Sequence, residues 1–271
     1  MSQYSTISKI KIKTIADLQG MKQAGLKITS LTVYDASFTV LLDQADVDVL
    51  LVGDSLGMVV QGHSSTLPVS MQDMLYHTQI VSRARQQAFI IADLPFMSSA
   101  TPLQAAENAA LLIQQGGAQM VKLEGAKIEA IEFMVQQGIP VCAHLGLLPQ
   151  SIYQLGKYSV QGKEEKDAEK ILADAVQIEQ AGAQMLIVEC IPATLTRQIS
   201  EQLSIPVIGI GAGVHCDGQV LVLYDMLDIS LGRKPRFSKN YMQQSDSIFA
   251  AIQSYVAEVR EQKFPAQEHS F

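Results

Sequence analysis

Two stretches of this chain repeat one pattern, and both end in a carboxylate. Gly117-Ala118-Gln119-Met120 runs through Val121, Lys122 and Leu123 to Glu124, and Gly182-Ala183-Gln184-Met185 runs through Leu186, Ile187 and Val188 to Glu189. Glycine takes the left-handed conformation that often ends a helix, so each copy predicts a helix, a glycine turn and a short apolar strand. Side chains alternate along a strand, which puts Met120, Lys122 and Glu124 on one face, and likewise Met185, Ile187 and Glu189. A chain that repeats such units brings their acids to equivalent ends of parallel strands.

Apolar, β-branched runs recur at Ile28–Tyr34, Val49–Gly53, Phe89–Ala92, Gln119–Glu124, Val141–His144, Met185–Glu189 and Val207–Ile210, with a short eighth expected near Met226–Ile229. Near-continuous apolar strands suit a parallel sheet covered by helices. Helical spacing lies between them, clearest at Ala168, Ile171, Leu172, Ala175 and Ile178 and again at Ile248, Ile252, Tyr255, Val256 and Val259. No linker divides the 271 residues, and 48% apolar against 17% charged residues is enough for a substantial core. The expected fold is α/β, a single-domain (β/α)8 TIM barrel with a short N-terminal arm and a C-terminal helix. A doubly wound open sheet is the alternative, and the opening repeat favours the barrel.

The net charge of −7 comes without a concentrated basic face, which excludes a nucleic-acid footprint. Lys9, Lys11 and Lys13 read as a weakly basic, solvated N-terminus. Cys142, Cys190 and Cys216 have no metal-like spacing and read as buried free thiols in a reducing cytoplasm. No apolar run approaches the ~20 residues of a membrane span.

The residues that close the strands carry the chemistry. They are Tyr34-Asp35, Asp54-Ser55, Asp93, Lys122 with Glu124, His144, Glu189, and Gly211-Ala212-Gly213. In a parallel barrel these ends share one face, where active sites of this fold sit. Several carboxylates at one mouth repel unless protonated or bridged by a cation. Their oxygen donors suit a hard ion such as Mg²⁺, with Asp54 and Asp93 as ligands; the competing role is as helix N-caps. Lys122 either pairs with Glu124 or faces a substrate carboxylate or enolate oxygen. Glu189, flanked by Val188, Cys190 and Ile191, has the apolar setting that suits a general base. His144 reads equally as a site residue or a satisfied interior histidine. Gly209, Gly211 and Gly213 suggest close approach of backbone to a ligand such as a phosphate.

The motifs Thr32–Phe38, Leu51–Met58, Gln61–His63, Thr66–Val69, Ala92–Met97, Val121–Gly125, His144–Leu147 with Pro149-Gln150, Val188–Pro192, Gly209–Gly213 and Glu268–Phe271 occur in this order along nearly the whole chain. Together they resemble the ketopantoate hydroxymethyltransferase family, of the phosphoenolpyruvate mutase and isocitrate lyase superfamily. The resemblance implies transfer of a one-carbon unit from 5,10-methylenetetrahydrofolate to 3-methyl-2-oxobutanoate, giving 2-dehydropantoate in pantothenate biosynthesis. It implies Mg²⁺ held by Asp54 and Asp93, with Glu124 binding directly or through water. It further implies an oxo acid contacted by Asp54, Ser55, Asp93 and Lys122, Glu189 as proton acceptor, and a homodecamer. The chain departs from the family pattern at Lys157, where Gly is usual, at Ser159, where Lys is usual, and at Asp228, where Gly is common. A related Mg²⁺-dependent oxo acid lyase is the alternative, against which stands the absence of a K-x-C-G-H type segment. A catalytically inactive barrel is disfavoured by the intact acids and Lys122.

Overall fold

The computed structural model describes residues 11–232 and 234–271, so Lys9 lies outside the described residues. Eight strands follow one another: β1 Ile28–Thr32, β2 Val49–Val52, β3 Phe89–Asp93, β4 Met120–Glu124, β5 Val141–Gly146, β6 Met185–Glu189, β7 Val207–Ile210 and β8 Gly218–Leu221. They close into a barrel in sequence order, and every neighbouring pair is parallel, including β1 with β8. The (β/α)8 expectation holds. Strand residues are buried almost throughout, because the barrel interior covers one face and the helices cover the other.

Local sequence sets the helix starts. Thr14 and Ser70 cap the helices Ile15–Gln23 and Met71–Ala84 and form reciprocal boxes with Asp17 and Asp73. Thr101 caps Pro102–Gln114, whose proline occupies a first-turn position where its missing N–H costs nothing. The C-terminal helix Ile248–Arg260 seals the β1–β8 seam. The buried Tyr255 hydroxyl lies 2.9 Å from the Ser30 carbonyl and 2.8 Å from that of Gln219, one on each strand.

Two expectations are corrected. The eighth strand is Gly218–Leu221; Met226–Ile229 instead covers the end of the helix Leu223–Met226 and the turn after it. Residues 211–217 join β7 directly to β8, so the helix that periodicity would place before the last strand is missing. Of the N-terminal lysines, Lys11 is solvated as expected, with a 75% exposed side chain, whereas Lys13 is only 22% exposed. Lys11 bonds Asp17 at 2.6 Å, and Lys13 bonds Asp46 and the buried Asp48 at 3.1 and 2.9 Å. Among the described residues no helix is long and apolar enough to cross a membrane.

Candidate active site

The C-terminal ends of β2 to β6 open into one cavity of about 720 Å³, lined among others by Asp54, Asp93, Lys122, Glu124, His144 and Glu189. Strand alternation explains the convergence on β4, where Lys122 and Glu124 are two residues apart and point inward together. Asp93 ends β3 beside Lys122 in register, and Glu124 lies opposite His144 of β5.

Asp54 and Asp93 are only 4% and 2% exposed, and they are neighbours: the Asp54 backbone N–H donates to Asp93 Oδ2 at 3.1 Å. The expectation that they lie together at one rim therefore holds. Lys122 Nζ donates to Asp93 Oδ1 at 2.8 Å, so its partner is Asp93 and not the Glu124 two residues along. Burial opposes the Lys122 charge, yet Asp93, Glu124 and Asp54 outweigh it and hold the ammonium above its ordinary range. Burial and the adjacent Asp93 push the Asp54 carboxyl up to about 7. Burial likewise raises Glu124, with the charge of Asp54 adding to it. Among the described residues at this end of the cavity, Lys122 stands against Asp54, Asp93, Glu124 and Glu189, and that surplus of carboxyl groups over cations is the electrostatic signature of the site.

Gln150, to which the sequence assigned no role, ties these acids together. Its side-chain amide donates to Asp54 Oδ2 at 2.8 Å and to the Leu94 carbonyl at 3.0 Å, while its backbone N–H donates to Glu124 Oε2 at 3.0 Å. The signal was present as a polar residue directly after Leu147-Leu148-Pro149 at the β5 end. Tyr34 was also without a role. Its buried hydroxyl lies 2.8 Å from both Ser55 Oγ and Thr32 Oγ1, which fixes Ser55 at the cavity wall. Asp35, by contrast, caps the helix Ala36–Gln44 through the Phe38 N–H at 3.0 Å and takes no part in the site.

His144 is 2% exposed, and neither ring nitrogen completes a hydrogen bond within the protein. Nε2 lies 3.3 Å from Glu189 Oε2, and Nδ1 lies 3.9 Å from Glu124 Oε1. Burial lowers its pKa, so the ring is neutral at pH 7 and bears a single N–H. An orphaned imidazole between two carboxylates is not a satisfied interior histidine, and it joins the site. Packing within the protein already accounts for Gly209 in β7 and for Gly211 and Gly213 after it. A side chain on Gly209 would collide with Cys216, one on Gly211 with the Phe237 ring, and one on Gly213 with Ala193, so protein groups make the close approaches. All three cysteines are free and buried, and burial pushes the Cys142 and Cys216 thiols up to about 12.

The donor set for a metal is carboxylate oxygen. Among the described residues no three His, Cys, Asp or Glu side chains already surround a single metal position. Asp54 and Asp93 touch, whereas Glu124 joins them through Gln150. Two close carboxylates plus a third at one remove match an ion that keeps much of its water.

A sequence profile of the family described as "Ketopantoate hydroxymethyltransferase" matches residues 12–267. The chain is 57% identical over 260 residues to the 3-methyl-2-oxobutanoate hydroxymethyltransferase of Nitrosococcus oceani, covering 95% of this chain and 98% of that one. To the enzyme of the same name from Alkalilimnicola ehrlichii it is 55% identical, covering 95% and 94%. Two solved structures share the fold at low identity. One is a 2,3-dimethylmalate lyase, a PEP mutase/isocitrate lyase superfamily member (TM-score 0.56, 16% identity, covering 79% of this chain and 82% of that one). The other is a phosphonopyruvate hydrolase in complex with oxalate and Mg++ (TM-score 0.59, 11% identity, covering 77% and 80%). The profile match and the two high-identity relatives each span nearly the whole chain, so this chain belongs to the ketopantoate hydroxymethyltransferase family.

Proposed function

We propose that the cavity adds a hydroxymethyl group to 3-methyl-2-oxobutanoate, giving 2-dehydropantoate on the route to pantothenate, with 5,10-methylenetetrahydrofolate as donor and Mg²⁺ as the bound ion. The names of the 57% and 55% identical relatives support the transferase activity and the oxo acid. The observation that carries the chemistry is the convergence of Asp54, Asp93 and Lys122 on the same cavity as Glu189.

The site fits a hard cation. Neither Asp54 Oδ1 nor Glu124 Oε1 accepts a hydrogen bond among the described residues, and all donors are oxygens. Asp54 and Asp93 would hold the ion, with Glu124 close by. When bound, Mg²⁺ neutralises the surplus carboxylates and polarises the keto group as a Lewis acid. The fold relative bound to oxalate and Mg++ supports this reading, since oxalate presents the same two adjacent oxygens as a 2-oxo acid.

The chain's own groups do the rest. Ser55, fixed by Tyr34, and Lys122 bind the oxo acid, and Lys122 faces the oxygen that gains charge when C3 loses its proton. Glu189 takes that proton. The neutral His144 has its Nε2 3.3 Å from Glu189 Oε2, close enough to position that carboxylate once a proton sits on Nε2. The carbanionic C3 then bonds to the one-carbon unit as one of that carbon's two C–N bonds breaks. Water displaces the second nitrogen and supplies the hydroxyl. The donor leaves with both nitrogens protonated, one proton coming from C3 through Glu189 and the other from water. A lyase relying on a reactive thiol is disfavoured. Cys190, which borders the cavity, has its pKa pushed up by burial and then by Glu189.

Three unpaired thiols support a reducing cytoplasm. Exposed Tyr76, Phe96, Met97 and Leu103 support a homo-oligomer, for which the family resemblance suggests ten subunits. The deciding experiment is deuterium exchange at C3 of 3-methyl-2-oxobutanoate without any donor. Exchange that requires Mg²⁺ is expected, and exchange indifferent to Mg²⁺ would refute the metal assignment.

A further inference from the structure

The cavity is larger than its acidic end requires. About 720 Å³ is the size of pocket that encloses a drug-sized molecule, whereas a five-carbon oxo acid needs only a fraction of it. Its wall also changes character around the barrel. The ends of β2 to β4 supply carboxylates and Lys122. Across the mouth, beyond β7 and β8, the wall includes Leu231, Pro235, Phe237 and Phe271 with the cations Lys234 and Arg236 and one acid, Asp225.

That second wall is built rather than incidental. Phe237 is 9% exposed and packs on Gly211, where an added Cβ would stand 2.8 Å from its ring. The Arg236 guanidinium lies 5.3 Å from the centre of the Phe271 ring, a stacking arrangement. Arg236 Nε donates to the Glu268 carbonyl at 2.9 Å, leaving its terminal nitrogens without a protein acceptor among the described residues. Lys234 pairs with Asp228, whose φ of 64° explains why this position favours glycine. Among the described residues, the cation left to meet an anion on this side is therefore Arg236. Lys122, at the other end, is engaged by Asp93.

We propose that this wall is the site of the one-carbon donor, with its flat heteroaromatic ring against Phe237 and Phe271 and its glutamyl carboxylates at Arg236. The proposal rests on the preceding reading that the donor is a folate. An anionic tail is repelled by the acidic end, so it must lie on the side of the guanidinium. Glu189 closes β6, between the two walls in the strand order. A carbon arriving from the β7–β8 side thus meets the C3 from which Glu189 has just taken the proton.

The test is calorimetric titration with tetrahydrofolate triglutamate of the wild type, Arg236→Gln, Arg236→Glu and Phe271→Leu, each paired with the donor-free C3 exchange assay. Arg236 is exposed and its one hydrogen bond among the described residues is to the Glu268 carbonyl near the C-terminus, so its replacement should leave the barrel folded, which an unchanged Tm checks. Arg236→Gln should weaken folate binding about tenfold, the size of one lost charge-assisted contact, and Arg236→Glu more. The triglutamate should lose more affinity than the monoglutamate, while C3 exchange keeps its wild-type rate. Unchanged folate affinity in both Arg236 variants would overturn the donor site, whatever the exchange shows. Absence of exchange in the wild type would sink the transferase reading instead, with the titration still deciding where folate binds.

Discussion

The two copies of the opening repeat fold alike and do different work. Both place glycine in the left-handed region (Gly117 at φ 80°, Gly182 at φ 94°), both continue into a five-residue strand, and both present glutamate to one cavity. The first glutamate, Glu124, is 6% exposed and accepts the Gln150 N–H. The second, Glu189, has a 14% exposed side chain that accepts no protein hydrogen bond among the described residues and has the neutral His144 at 3.3 Å. The backbone unit fixes where an acid stands, but the neighbours it meets there differ, and the proposed roles, steadying a cation for Glu124 and moving a proton for Glu189, follow that difference.

The largest expected effect separates these roles directly. Glu189→Gln keeps the shape and removes the basic oxygen, so C3 exchange should fall by roughly 10²–10⁴-fold, the usual value of a positioned general base. Binding of the oxo acid and Mg²⁺, followed by calorimetry, should persist. Exchange near the wild-type rate would hand the proton to another residue. Glu124→Gln should behave otherwise. Apparent Mg²⁺ affinity should drop by about 10–100-fold, as for other groups that steady a metal at one remove. Excess Mg²⁺ should rescue turnover, a rescue that Glu189→Gln cannot show.

Titration sharpens the same contrast. Asp54 has a folded-state pKa of about 7 against an ordinary 3.8, so between those values the folded chain keeps a proton that the unfolded chain has released. Its contribution to stability is therefore greatest at low pH and is lost as pH rises toward 7. Mg²⁺ competes with that proton. The rise in Tm on adding saturating Mg²⁺ should be larger at pH 8 than at pH 5.5 and should release protons to buffer at the lower pH. An equal rise at both values would remove Asp54 from the metal site.

Much of this was legible in the sequence, for physical reasons. Strands buried on both faces are mostly apolar along their length, so β2 to β7 stand out, while β1 shows through Ile28, Leu31 and the Val33 that follows it despite the buried Thr29, Ser30 and Thr32. The polar residues that end them are conspicuous because nothing apolar needs them. The eighth strand escaped because it breaks both rules: it opens on Gly218, carries the buried polar Gln219, and has no helix before it. Gln219 is tolerated because its amide donates to the Gly213 carbonyl at 3.0 Å. Gln150 and the pairing of Lys122 with Asp93 escaped for another reason. Both are contacts between different β/α units, and no local period encodes them.

The smallest effect tests the half of the comparison that the two copies share. An L-residue in the left-handed region costs roughly 1–2 kcal/mol, and both glycines also sit against neighbours. A Cβ on Gly117 would meet Ser82 Oγ at 2.1 Å, and one on Gly182 would meet Val135 Cγ1 at 2.8 Å. Gly117→Ala and Gly182→Ala should each lower unfolding free energy by about 1–3 kcal/mol in denaturant titrations, because crowding adds to the backbone cost. The Ser82 hydroxyl can rotate away but its Cβ, at 2.9 Å, cannot, and the branched Val135 side chain is stiff. The two losses should therefore be closer than the raw distances suggest. Neither glycine touches the cavity wall, so kcat should change little in the fraction that remains folded. If Gly182→Ala instead abolished C3 exchange while Gly117→Ala spared it, the turn would be steering Glu189 itself, and backbone and neighbours could no longer be assigned separate jobs.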